Sequence, residues 1–326
     1  MNVDSISKHK KIIITGGAGA IGSNLVRKLI ELGVDNIVII DNLDSGIREN
    51  IPDDKRVYYI NGCISDQSVI DRAFNGGADI VFHLAANFAN QNSIDNPEKD
   101  LITNILGTLK LLIASKAAKV SKFIYASTSC IYNKNADVLC EGDTNLDFET
   151  PYAISKYSAE QYGIFYSKYQ KLPFASLRIF NSYGPFEYPG AYRNVIPNFF
   201  HLALKGQPLR VMGDGNDSRN FTYVDDVVCG MIMLSLDNQS SGQIFNIGSN
   251  NPIKIIDLAN KINMITKNKA EIKFVPKRDW DKTKSRMASL EKIKKQIDYR
   301  PTVDIDEGLL KYHKWIKKQK YEDFDY

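Results

Sequence analysis

The 326-residue sequence has only four cysteines, Cys63, Cys130, Cys140 and Cys229, with no CxxC pair and no histidine closely spaced from any of them. That pattern argues against a disulfide framework and against a zinc site, and it leaves free thiols in a reducing compartment as the expectation. Histidine is equally scarce. His9, His83, His201 and His313 are scattered, so no metal is expected. Neither sign of charge dominates, with 42 Lys+Arg against 38 Asp+Glu. A net +4 is too small to imply nucleic acid; it agrees with an anionic small-molecule partner without requiring one. No apolar run approaches the roughly 18 residues that span a bilayer. The opening MNVDSISKHKK carries no apolar core and does not read as a signal peptide. A cytoplasmic protein with no membrane partner is expected.

What the sequence does have is rhythm. Apolar runs at Lys11–Thr15, Ile37–Asp41, Val57–Ile60, Asp79–His83 and Phe123–Ser127 read as strands. Helical spacing separates them at Ala20–Leu32 and Pro97–Ala118. Strands alternating with helices predict an α/β fold, a doubly wound parallel sheet of the Rossmann type whose ligand crevice lies at the carboxyl ends of the strands. After about residue 180, Pro185, Pro189, Gly190 and Pro197 break the pattern and Gly206–Gly215 is turn-rich. Val224–Leu236 reads as a helix and Gln243–Ile247 as a strand returning to the sheet. Ile255–Ile265, Ser285–Ile297 and Ile305–Lys318 read as mostly helical, and Tyr321–Tyr326 as a loosely held tail. The expected division is a cofactor-binding domain of residues 1–180 with a return segment near 221–247. A smaller mixed substrate domain would comprise 181–220 and 248–326.

Directly after the first strand, Gly16-Gly17-Ala18-Gly19-Ala20-Ile21-Gly22 opens the first helix. Gly16 permits a tight turn, Gly19 lets backbone approach a pyrophosphate, and Gly22 allows helix and strand to pack closely. The helix N-terminus adds free N–H groups and partial positive charge. Asp41 ends the second strand, where a carboxylate binds the adenosine ribose hydroxyls and repels a 2′-phosphate. No arginine follows in Asn42-Leu43-Asp44-Ser45-Gly46, so NAD is expected rather than NADP.

Tyr152 and Lys156, in Pro151-Tyr152-Ala153-Ile154-Ser155-Lys156, fall on one helix face at i and i+4. A phenol of reference pKa about 10 is a poor base at neutral pH, but a nearby ammonium favours the phenolate. Tyr152 then accepts a proton from a sugar hydroxyl while hydride leaves the same carbon. A third hydroxyl is expected from Ser127-Thr128-Ser129. Thr128 is favoured, with either serine open to share its role.

Together these residues resemble the extended short-chain dehydrogenase/reductase family, specifically its NAD-dependent nucleotide-sugar epimerases, dehydratases and decarboxylases, such as UDP-galactose 4-epimerases. The likeness runs through GGAGAIG, DNLDSG, HLAA, ASTS, YAISK, LRIFNSYGP and SRNFTYVDDV, nearly the whole chain. It implies cofactor contacts from Gly16, Gly19, Ala20, Ile21, Gly22, Asp41, Asn42, Ser45 and Gly46. Further along the chain it implies Leu84, Ala85, Ala86, Asn104 and Phe180, with Tyr152 and Lys156 at the nicotinamide ribose. Cys63 and Ile64 stand where the family has an acid near the adenine. For substrate, the resemblance implies Thr128, Asn181, Asn194, Val195, Arg219 and Arg278. Arginine forks suit diphosphate oxygens.

Family chemistry begins with oxidation at sugar carbon 4. The dehydratases it resembles carry Asp-Glu just after the threonine, and the UDP-glucuronate decarboxylases keep a glutamate at the position of Cys130. Here Ser129-Cys130 stands instead, and a thiol replaces a carboxylate poorly. The expectation is a nucleotide-sugar 4-epimerase. The runner-up is a 4-dehydrogenase that releases the keto-sugar, followed by dehydratase or decarboxylase. A non-catalytic NAD sensor or scaffold is the reading outside enzymology. The amides of Asn87-Phe88-Ala89-Asn90-Gln91-Asn92 offer no positive group to a sugar carboxylate, which points away from uronic acids. UDP, GDP, CDP and dTDP carriers all fit. Family members commonly form homodimers through two helices per subunit, here Pro97–Ala118 and Tyr152–Tyr169. Leu109, Leu112, Tyr157 and Phe165 serve either that interface or the core, and both stay open.

Overall fold

The computed structural model describes residues 3–132, 138–144, 146–249, 251–281 and 284–320. Asn133 and the tail Tyr321–Tyr326 lie outside them. Six strands arise in order along the first half: β1 (Ile12–Thr15), β2 (Ile37–Asp41), β3 (Val57–Asn61), β4 (Ile80–His83), β5 (Lys122–Thr128) and β6 (Phe174–Ile179). The returning strand Gln243–Ile247 pairs parallel with β6. The sheet runs Gln243–Ile247, β6, β5, β4, β1, β2, β3, and every pairing in it is parallel.

Every residue of β1, β2, β4 and β5 is buried, because helices cover both faces. On one face lie α1 (Ala20–Glu31) and, later in the chain, the helix Val224–Ser235. Their apolar positions close on Ile12, Ile14, Ile37 and Ile39. On the other lie α2 (Gln67–Phe74) and two helices described below, packed on Ile13, Val81, Phe123 and Tyr125. Burial of each such side chain contributes about 1.5–3 kcal/mol. Strand order reverses between β1 and β4, and the crevice opens there, at their carboxyl ends.

The expected helix Pro97–Ala118 is helical throughout but not uniform. It comprises α3 (Pro97–Leu101), a widened π segment at Ile102–Gly107, and α4 (Thr108–Ala117). The π segment contains Asn104, whose buried amide bonds Asn87, Asp100 and Ser155. Such widened turns often mark functional sites. The helix that carries Tyr152 and Lys156 is α5 (Pro151–Gln170), capped by Thr150 with proline at its first turn.

Beyond the sheet, the helices Val195–Leu204, Ile255–Thr266 and Ile305–Ile316 enclose a third core with Val211, Phe221 and Tyr223. Pro197, read as a breaker, sits in the first turn of Val195–Leu204, where its missing N–H has no intrahelical partner to lose. The expected helical stretch Ser285–Ile297 is corrected. Ser285–Arg286 is a strand paired parallel with Ser218–Arg219, and helix covers only Glu291–Ile297. Tertiary pairing overrides local propensity there.

Candidate active site

The glycine turn is fixed by steric necessity. Gly16 has φ +74°, and a Cβ on it would lie 2.7 Å from the Ala85 nitrogen. A Cβ on Gly22 would lie 2.1 Å from the Gly16 carbonyl oxygen. Gly19 is the N-cap of α1 and supplies no side-chain cap, so no capping side chain occupies the first N–H groups of α1. Gly16, Gly19, Ala20, Ile21 and Gly22 all line the cleft.

Asp41 ends β2 with its carboxylate accepting the Ala18 and Leu43 N–H groups, each at 2.9 Å. Burial pushes its carboxyl up, and these two backbone donors oppose the shift. Asn42, Ser45, Gly46, Cys63, Ile64, Leu84, Ala85 and Ala86 continue the lining. His83 takes no part in it. The ring is buried between the Thr15 and Thr108 hydroxyls at 2.7 and 2.8 Å.

At the far end of the crevice, β5 delivers Thr128 and α5 delivers Tyr152 and Lys156, all three lining the cleft. Thr128 Oγ1 accepts the Cys130 N–H at 3.1 Å, and its side chain hydrogen-bonds Tyr152. The Tyr152 N–H donates to Ser93 Oγ at 3.0 Å, and Phe88 packs edge-on against the tyrosine ring. Lys156 Nζ stands 4.3 Å from the centre of the Tyr125 ring. Burial lowers the Lys156 ammonium to about 7, against the opposing charges of Asp100 and Glu160. Burial also holds the Tyr152 phenol above its ordinary value, the neighbouring Cys130 and Asp100 adding to the shift and the Thr128 hydrogen bond opposing it. The expected lowering of the phenol by the nearby ammonium is therefore not what dominates in the protein by itself, where burial raises the phenol and lowers the ammonium.

Asn104 and Phe180 do not line the cleft. The amide of Asn104 braces the Asn87 loop against Ser155 on the back of α5. Phe180 is buried beside Tyr132, Leu139 and Ala288. Its neighbour Ile179 lines the cleft instead, as alternation along a strand requires. Asn181, Asn194, Arg219 and Arg278 do line it, whereas Val195 packs against the third core. Arg219 pairs with Asp281 at 3.2 Å, and Arg278 lies over the Trp280 ring.

The sequence reading missed several lining residues. Glu187 is buried with its Oε1 bonded to Asn194, and burial pushes its carboxyl up to about 7. Gln91 accepts the Trp280 indole N–H at 2.9 Å. Ser127, Ser129, Cys130 and Arg286 also face the cleft. Of these, Ser127 and Ser129 were the expected alternatives to Thr128 and Cys130 the expected stand-in for a carboxylate, so only Arg286 was missed, and nothing local signalled it. Among the described residues no three metal-ligating side chains cluster, and no helix is long and apolar enough to cross a membrane.

Crevice, glycine turn, Asp41 and the Thr–Tyr–Lys group fit a dinucleotide beside a reacting sugar. The NAD dependent epimerase/dehydratase family model matches residues 12–248. A UDP-N-acetyl-alpha-D-glucosaminuronate decarboxylase of Bacillus cytotoxicus is 33% identical, over 95% of this chain and 98% of that one. The solved structure of an epimerase from Methanothermobacter thermautotrophicus superposes with TM-score 0.95 at 39% identity, covering 98% of this chain and 95% of that one. A UDP-glucose 4-epimerase of Thermotoga maritima, solved with UDP-glucose, gives TM-score 0.89 at 32% identity, over 94% and 99%. The chain belongs to the NAD-dependent epimerase/dehydratase family and is an NAD-dependent enzyme of the nucleotide-sugar epimerase, dehydratase and decarboxylase group.

Proposed function

We propose that the enzyme is a nucleotide-sugar 4-epimerase. The observation that carries this reading is the absence of a carboxylate at Ser129-Cys130, beside the Thr128–Tyr152 pair. Dehydration and decarboxylation need an acid or base there that a thiol supplies poorly, whereas epimerisation needs only one reversible proton transfer at the carbon-4 oxygen.

Tyr152 takes the proton of the carbon-4 hydroxyl and later returns it. Thr128, whose side chain accepts the Cys130 N–H and hydrogen-bonds Tyr152, holds the same oxygen. Lys156 is held where it orients the cofactor ribose and, when charged, steadies the phenolate. NAD, when bound, would supply the hydride acceptor for carbon 4 and a positive charge that favours ionisation of Tyr152. Asn181, Asn194, Arg219 and Arg278 hold the nucleotide diphosphate, so the sugar is free to turn and present its other face. In this reading residues 1–180 with 221–247 form the cofactor unit, and 181–220 with 248–326 the substrate unit.

We further read the active species as a cytoplasmic homodimer. Ile102, Leu106 and Ile113 on the α3–α4 helical run, and Ile154, Tyr162, Phe165 and Tyr169 on α5, are exposed apolar residues on adjacent elements. Leu112 is fully buried and belongs to the core, so it leaves the list of interface residues. Two such helices per subunit would bury these faces in an isologous contact.

Incubating purified enzyme with a panel of nucleotide sugars tests the reaction. A carbon-4 epimer of unchanged mass is expected. Accumulation of keto-sugar with equimolar reduced cofactor would establish the dehydrogenase instead, and a product lighter by water or carbon dioxide would establish one of the remaining activities.

A further inference from the structure

One carboxyl group in the wall of the cleft has an oxygen with nothing to bond. Glu187 is 5% exposed and lines the cleft between the short strand Ser182–Tyr183 and the helix Val195–Leu204. Its Oε1 accepts the Asn194 side-chain amide at 2.8 Å, and the Asn194 backbone N–H also donates to the carboxylate. Oε2 is buried and has no hydrogen-bond partner. Asn194 is the N-cap of the helix, yet its amide donates to Glu187 and to the Ser182 carbonyl. Turned that way, a residue of good capping type makes no side-chain cap. A buried acid therefore stands beside the uncapped, positive end of a ten-residue helix, a place that also suits an anionic ligand. Burial pushes the carboxyl up to about 7, with Arg193 and the Asn194 hydrogen bonds opposing. The Arg193 guanidinium donates to the Ser45 carbonyl, and from the helix Ile305–Ile316 the Tyr312 hydroxyl donates to the Glu187 main-chain oxygen.

We propose that Glu187 takes up a proton when the nucleoside-diphosphate sugar binds, so that substrate affinity is tied to the protonation of this one carboxyl. The inference rests on the reading above, in which Asn194 is among the residues that hold the diphosphate. Phosphate charge at Asn194 would lie near a carboxylate bonded to that same residue, in a wall where water screens it little. Like charge favours the neutral acid. The proton comes from solvent, no bond of the sugar changes, and Oε2 is the oxygen left open to receive it. Because the ligand raises this carboxyl, binding draws in a proton and affinity falls as pH rises through neutrality.

NAD-loaded enzyme is titrated by calorimetry with UDP-, GDP-, CDP- and dTDP-glucose, whose doubly esterified diphosphates carry no titrating proton near neutral pH. Each titration is repeated in PIPES and in Tris, which differ in heat of ionisation, so that proton uptake is read directly. A rise of the carboxyl from about 7 to about 8 on binding corresponds to uptake of about half a proton at pH 7.5, and to about sixfold weaker affinity at pH 8.5 than at pH 6.5. Glu187→Gln keeps the shape and a carbonyl oxygen for Asn194 but cannot ionise. It should lose this uptake and, at pH 8.5, bind about fivefold more tightly than the parent. Lys156 also titrates near 7 but is common to both proteins, so their difference reports Glu187. Should Glu187→Gln not fold, Lys156→Met is titrated in the same way, and disappearance of the uptake there overturns the inference. Equal uptake in parent and Glu187→Gln, or affinities that follow pH alike, overturns it and leaves the epimerase standing. Weaker binding by Glu187→Gln at every pH makes the residue purely structural and overturns it as well. Binding of none of the four sugars removes the diphosphate assignment itself, and the coupling with it.

Discussion

Lys156, which the proposed mechanism requires, opposes folding, and replacing it separates the two effects. In the protein without nucleotide, burial lowers this ammonium from 10.5 to about 7. The folded state therefore holds the proton less tightly than the unfolded chain. Between pH 7 and 10.5 the unfolded chain carries more protons, so the Lys156 contribution becomes less unfavourable as pH rises. Integrating that shift, Lys156 opposes folding by about 4 kcal/mol at pH 7 and by about 2 kcal/mol at pH 9, with little further change below pH 6.

Methionine has nearly the length of the lysine stem and keeps its packing on the Tyr125 ring, but carries no charge to desolvate. Lys156→Met should therefore be more stable than the parent protein at pH 7, and its advantage should shrink by about 2 kcal/mol by pH 9. For a chain of this size that is a change of about 3 °C in the difference between the two melting temperatures. Thermal melts of nucleotide-free parent and variant at pH 6, 7, 8 and 9 measure it. Lys122, which burial lowers to about 8, titrates in the same window but is common to both proteins and cancels in the difference. Activity of the variant should be lost at every pH. A stability difference that stays flat from pH 7 to 9 would refute the reasoning, because it would mean that Lys156 titrates normally.

Three other outcomes are expected. Tyr152→Phe keeps the ring against Phe88 but removes the proton acceptor, so kcat should fall by about 100- to 10,000-fold while NAD affinity, read by fluorescence titration, stays within about threefold. Gly22→Ala forces a methyl to 2.1 Å from a backbone oxygen, beyond what side-chain repacking relieves, and should weaken NAD binding at least about tenfold and lower the melting temperature. Normal cofactor affinity in that variant would place the pyrophosphate elsewhere. Phe165→Glu puts a charge in the exposed apolar face of α5 and should shift the protein to monomer in sedimentation, leaving its NAD affinity unchanged.

The parts of this site that could be read from sequence are those whose chemistry is local. The glycine turn lies within seven consecutive residues, because one strand-to-helix turn makes that whole wall of the cleft. Tyr152 and Lys156 share a helix face, and Asp41 ends an unbroken apolar strand. Phe180 shows how finely such reading can slip. At the end of β6, alternation sends Ile179 to the cleft and Phe180 into the cluster with Tyr132, and a motif match carries no information about which side chain faces which way. The same one-residue distinction separates Asn194, in the cleft, from Val195, in the core.

What could not be read is what depends on pairing between distant segments. The Ser285–Arg286 strand exists because Ser218–Arg219 offers it an edge, and its residues show no strand pattern of their own. That pairing brings Arg286 to Cys130, the residue whose neutrality argued against dehydration and decarboxylation.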